Sequence, residues 1–198
     1  MITWLGSVVL LAAVMAATPG PNNVLFAAAG ARHGYLRTIP LLAGMIGGFV
    51  VLIGAGAAGV GGLLEAVPGS RLAMTTAASA YMAYLGLRLW RSDPHPDEPG
   101  HDSPLMRWWQ MALFQVANPK TWLAVLAFVT GKLGPDSPGG LAADLVGAGC
   151  FLAVVWVSAS SWTLFGAALR ARMDAGHGRG AMRTMAVLAL LTIVTFWW

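Results

Sequence analysis

The length of its uncharged runs constrains this chain more than any other feature. Residues 1–31 carry no Asp, Glu, Lys or Arg, and reading between charged clusters gives apolar runs near 3–30, 38–64, 71–90, 107–131, 141–169 and 181–198. A helix needs ~20 mainly apolar residues to cross a hydrocarbon core about 30 Å thick. Each run approaches or exceeds that length, and tilt or snorkelling arginines make up the difference at the third and sixth. Composition closes off a packed soluble domain. Of 198 residues, 57% are hydrophobic and 10% charged, against roughly 25% charged in soluble domains, so charged side chains are too few to cover a hydrated surface. The expectation is an all-α integral membrane protein with six transmembrane helices.

The basic residues then read as topology signals. The net charge of +4 lies between apolar runs and is not gathered on one amphipathic face, which argues for membrane lipid and against nucleic acid as the partner. With six spans, three loops share one side and hold or border Arg32 and Arg37; Arg88, Arg91 and Arg107; and Arg170, Arg172, Arg179 and Arg183. The other side has Arg71 and Lys132. This asymmetry places the arginine-rich loops in the cytoplasm and both termini in the periplasm. Trp4, Trp90, Trp108, Trp109, Trp197 and Trp198 fall at run ends, where indole rings prefer the interface. The Ala16-Ala17 pair looks like a signal-cleavage site, yet no Lys or Arg precedes the apolar core, so the segment reads as a retained first span. Cys150 is the single cysteine, and His33, His95, His101 and His177 lack ligand-like spacing. No metal or other cofactor is expected.

The runs divide into two halves, residues 1–91 and 107–198, joined by a polar connector at 92–106 that carries Asp93, Asp97, Glu98 and Asp102. Three spans is an odd number, so the second half is inverted relative to the first. Each half interrupts its first run at one polar, proline-containing site: Thr18, Pro19, Gly20, Pro21, Asn22 and Asn23 in one, and Asn118, Pro119 and Lys120, followed by Thr121, in the other. Corresponding breaks in inverted halves are the best sequence pointer to a transporter binding site. Proline removes a backbone donor and clashes with the preceding turn. In hydrocarbon the freed backbone groups are tolerated only against protein or a wet cavity. Asn118 followed by Pro119 also has the grammar of a helix restart, a capping residue and then proline at the first helical position. Two restarted N-termini, with free amides and partial positive charge, suit a carboxylate, and Lys120 adds a full charge. The named residues of both breaks form the expected substrate-binding set. A plain proline kink, a snorkelling Lys120 and asparagines that only cap are the alternative readings of the same residues.

Other features are open at the level of sequence. Gly44 and Gly48 have the small-residue spacing of close helix packing. Ser158, Ser160, Ser161 and Thr163 line a cavity or bond their own helix backbone, and Tyr81 and Tyr84 are equally ambiguous.

The Thr18-to-Asn22 motif, the Gly-rich second run, Tyr84-Leu85-Gly86-Leu87-Arg88 closing the third and Asn118-Pro119-Lys120 in the fourth together resemble the LysE/RhtB family of bacterial amino-acid exporters. The resemblance covers essentially the whole chain. It implies a multi-pass inner-membrane secondary transporter, not an enzyme, that exports amino acids or close derivatives in exchange for protons. Residues 38–64 contain no acid, and the remaining carboxylates lie in loops or near run ends, so a neutral amino acid is the expected substrate. A channel or scaffold subunit without a carrier cycle is the rival class, and a homo-oligomer is compatible with either. An intramembrane enzyme would need a convergent nucleophile and base, and the runs offer neither a His nor a pair of acids.

Overall fold

The computed structural model describes residues 1–17, 20–60, 66–91, 106–133, 137–171 and 178–194. Among these residues the regular structure is helical, without strands: α1 (Ile2–Ala17), α2 (Pro21–Ala57), α3 (Ser70–Arg91), α4 (Trp108–Ala117), α5 (Pro119–Lys132), α6 (Gly140–Ala171) and α7 (Gly178–Leu191). Thr18, Pro19, most of the 92–106 connector, Trp197 and Trp198 lie outside the described residues.

Both expected breaks are helix boundaries. α1 stops at Ala17 and α2 starts at Pro21 behind Gly20, while α4 and α5 meet at Asn118 with a bend of 72°. The helix ends follow the local chemistry, since each restart places proline at the first helical position, where no amide hydrogen is needed. α2 departs most from expectation. Its 37 residues would extend about 55 Å at 1.5 Å per residue, far beyond one crossing. No separate loop stands between the first two runs. One residue, Gly34, leaves the helix with φ 75° and ψ 175°, a backbone region that glycine enters without steric cost.

The order of contacts along α6 shows what that residue does. Met1 lies against Gly139, Trp4 against Gly147, and the Ala16 carbonyl against Ser158, so α1 and α6 run in the same direction. Beyond Gly34 the order reverses, with Tyr35 at Ser160 and Phe49 at Phe151. α2 therefore turns back on itself at Gly34 and occupies the middle of the molecule, packed on α6, α4 and α5. α3 and α7 pair at one side, antiparallel, with Gly86 against Leu190 and the Arg183 guanidinium 5.3 Å from the Trp90 ring.

Apolar helices gain little from hiding from one another in lipid, so close van der Waals contact has to hold them. Small residues supply it here. A Cβ placed on Gly30 would collide with the Thr163 carbonyl, and one on Gly166 with the Ala27 carbonyl, so α2 and α6 touch backbone to backbone. Gly44 meets the Trp108 carbonyl in the same way, and Gly48 faces Ala112 and Gln115 of α4. The Gly44-to-Gly48 spacing thus serves packing, as the sequence suggests.

Two described helices are long and apolar enough to cross a membrane, α2 and α6, and the bent α4–α5 pair makes a third. α1, with 16 residues, is shorter because it ends at the break, and the 22 residues of α3 include Arg71, Arg88 and Arg91 together with several small and hydroxyl residues. Gly30→Val and Gly166→Val each force backbone apart and are expected to destabilise the fold by at least the ~1–3 kcal/mol typical of overpacking. Gly47→Ala, with nothing within 4 Å of the new methyl group, is expected to leave stability unchanged. Thermal unfolding in mild detergent reads both.

Candidate functional site

The reversal at Gly34 and the bend at Asn118 bring the two breaks together. Gly20, Pro21, Asn22 and Asn23 from the first line one cavity with Asn118, Lys120 and Thr121 from the second. A methyl group on Gly20 would sit 2.8 Å from Lys120 Nζ, so the absent side chain makes room for the ammonium of the second break. Thr18 and Pro19 lie outside the described residues. Pro119 starts α5 beneath this contact.

Asn118 is a true N-cap. Its Oδ1 accepts from the Lys120 amide at 3.0 Å, and its carbonyl accepts from the Thr121 amide at 3.0 Å and the Trp122 amide at 3.3 Å. The expectation of free amides at both restarts needs correction here: Pro119 has no N–H, and the next three amides are taken within the turn. What α5 offers an anion is its dipole and the Lys120 charge. At α2, by contrast, Gly20 makes no side-chain cap. The indole of Trp122 donates to the Val116 carbonyl at 2.8 Å, which satisfies one of the acceptors that the end of α4 leaves over.

Gln115 is the residue that the sequence reading missed. It is fully buried, one turn before the second break. Its Oε1 accepts from Asn22 Nδ2 at 2.8 Å and Thr121 Oγ1 at 3.0 Å, while its Nε2 donates to Asn22 Oδ1 at 3.3 Å and the Met111 carbonyl at 3.2 Å. Two acceptor sites and two donors are thereby filled, the full capacity of a carboxamide. The reciprocal amide pair ties the first break to the second. A Gln inside an apolar run three residues before Asn-Pro was the available signal; a buried carboxamide in lipid has to find partners.

The remaining wall is sorted by its hydroxyls and rings. Ser161 and Thr163 donate to their own helix at Val157 and Ala159, and Ser160 pairs with Tyr35 at 3.1 Å. Ser158 alone of the four lines the cavity, donating to the Ala16 carbonyl at 3.0 Å, where Asn23 Nδ2 also arrives at 3.1 Å. Tyr81 packs on Phe114 at 5.6 Å and Tyr84 is exposed; neither lines the cavity. Met45, Phe49, Phe151 and Val155 form its apolar side, with Phe151 stacked on Phe128 at 4.7 Å. About 50 Å³ is open inside, room for a few waters at ~10–15 Å³ each, so a larger solute fits only when the walls part.

Two proline-broken apolar segments, joined at one polar cavity, are a combination specific enough to compare with known proteins. The model of the family described as LysE type translocator matches residues 13–196. The chain belongs to the LysE family. It is similar to the cysteine/O-acetylserine efflux proteins of Salmonella choleraesuis strain SC-B67, 33% identical over 108 residues, Klebsiella pneumoniae subsp. pneumoniae, 32% over 107, and Escherichia coli O1:K1, 31% over 108. Each of these alignments covers 54% of this chain and 54% of the relative. The chain thus spans about half the length of the curated relatives it matches. No solved structure matches it.

For this LysE-family chain the amide pair gives a direct test. Gln115→Leu keeps the volume but strands Asn22 and Thr121, at ~1–3 kcal/mol for each buried polar group left without a partner. The variant is expected to unfold at a clearly lower temperature in detergent, whereas Ser161→Ala, on an exposed position, is expected to match the parent.

Proposed function

We propose that this protein is a secondary active carrier that exports a neutral amino acid or a close derivative across the bacterial inner membrane in exchange for protons. The observation that carries the reading is the meeting of two broken helices at one cavity, with Lys120 seated against Gly20. Discontinuous helices whose ends face a central cavity are how carriers bind small charged solutes at the bilayer midplane. The substrate carboxylate sits beside Lys120 and the start of α2, and the apolar wall takes the side chain.

Six spans in two inverted halves, residues 1–91 and 107–198 about a cytoplasmic connector at 92–106, accommodate the contact order: α1 parallel to α6, α3 antiparallel to α7, and the second part of α2 parallel to α4. Trp4 Nε1 donates to the Lys132 carbonyl at 3.1 Å, which supports placing the chain start and the end of α5 on one side. The Trp90–Arg183 contact supports gathering arginines on the other. Both termini are then periplasmic. Reporter fusions at Trp198 and within the connector are expected to give opposite signals, and a cytoplasmic reading at Trp198 would overturn the topology.

Transport alternates by rocking the halves about the site, which requires the Asn22–Gln115 pair to part and re-form. A neutral substrate is supported by the described cavity lining, in which Lys120 is the one ionisable side chain, since a second substrate cation would lack a counter-ion in low dielectric. The relatives named for cysteine and O-acetylserine efflux point the same way. Counterflow in proteoliposomes is expected to saturate, and to favour leucine, threonine or homoserine over lysine and arginine; unsaturable flux would favour a channel. Lys120→Met is expected to cut transport tenfold or more at normal abundance, the order of a charge-assisted hydrogen bond. Asn118→Ala removes a cap of ~1 kcal/mol and is expected to act non-additively with it. Normal flux in both variants would remove these residues from the site.

A further inference from the structure

A second cavity lies where α2, near its departure from helical geometry at Gly34, faces the start of α4. About 550 Å³ is open in it, within the ~300–1,000 Å³ typical of small-molecule sites. None of its described lining residues also lines the cavity between the breaks. His33, Arg37 and Thr38 of α2 line it together with Arg107, the N-cap of α4, and Trp108 and Trp109 of the first turn. Its frame is fixed locally. Thr38 Oγ1 donates to the Gly34 carbonyl at 2.8 Å, the Arg107 amide donates to Gln110 Oε1 at 2.7 Å, and Gly44 lets α2 touch the Trp108 carbonyl.

The charge of this lining is of one sign. Arg37 and Arg107 are both exposed, and no Asp or Glu is among the described residues that line the cavity. The N-terminal end of α4 adds partial positive charge, and a guanidinium matches phosphate oxygens with a planar fork of donors. These groups suit an anion, and their neighbours suit a lipid. Trp108 and Trp109 are exposed, as are Leu36 and Ile39 near Arg37. Indoles beside arginines are the side chains of the boundary where headgroups meet acyl chains, and basic pockets between membrane helices take anionic headgroups. A free inorganic anion would make no use of the aromatic pair. We propose that this cavity binds the headgroup phosphate of an anionic phospholipid, with Arg37 and Arg107 supplying the countercharge and Trp108 and Trp109 the contact with the rest of the lipid. The site does not depend on the carrier reading, and its failure would leave that reading untouched.

The test is native mass spectrometry of the full chain in mild detergent, titrated with phosphatidylglycerol or with phosphatidylcholine of the same acyl chains. The parent protein is expected to retain phosphatidylglycerol and shed phosphatidylcholine. Arg37→Gln combined with Arg107→Gln should weaken phosphatidylglycerol binding about thirtyfold, about fivefold for each arginine near a membrane surface, with phosphatidylcholine unchanged. Arg37→Lys with Arg107→Lys keeps both charges and should keep most of the binding. Arg91→Gln, at the end of α3 and outside the cavity lining, should bind as the parent does. Equal retention of the two lipids by the parent protein overturns the site without any variant. An equal loss in Arg91→Gln overturns it too, because the attraction would then belong to the arginine-rich surface at large. Displacement of phosphatidylglycerol by the same concentration of inorganic phosphate would make the ligand a free anion and overturn the lipid assignment.

Discussion

Backbone polar groups freed inside an apolar bundle must be satisfied by something other than water, and the rest of this molecule is arranged around that demand. Two helices stop and restart mid-run. Asn118 closes the first turn of α5, Trp122 takes the Val116 carbonyl, and Ser158 with Asn23 takes the Ala16 carbonyl. Gln115 then links the breaks by exchanging two hydrogen bonds with Asn22 and accepting a third from Thr121. Each break is tolerable because the other is beside it.

Such short-range bonds demand close helix approach, which the glycines permit. Gly30 and Gly166 let α2 and α6 meet backbone to backbone, and Gly44 and Gly48 do the same for α2 against α4. With α2 held on both sides, Asn22 reaches Gln115, and Lys120 reaches the space above Gly20. The packing that stabilises the bundle and the geometry that forms the cavity are thus one set of contacts. Opening the cavity means exchanging one bonded arrangement for another, because a half-bonded polar network in low dielectric is costly.

Lys120 is the one ionisable side chain among the described residues that line the cavity. Met45, Phe49, Phe151 and Val155 leave an apolar wall for a modest side chain.

Much of this was legible in the sequence because lipid imposes local rules. Uncharged runs and the two Pro-containing interruptions follow from what hydrocarbon excludes, and each can be read from neighbours along the chain. Asn118 as a cap and Gly44–Gly48 as a packing seam are likewise local patterns. The tertiary structure decided what depends on residues far apart. It set which of the four α6 hydroxyls faces the cavity, because that depends on rotation against α1. It also occupied the amides of α5 and made Gln115 the link between breaks 93 residues apart, Asn22 to Gln115, since a hydrogen-bond partner is chosen by approach in space and no spacing along the chain encodes it.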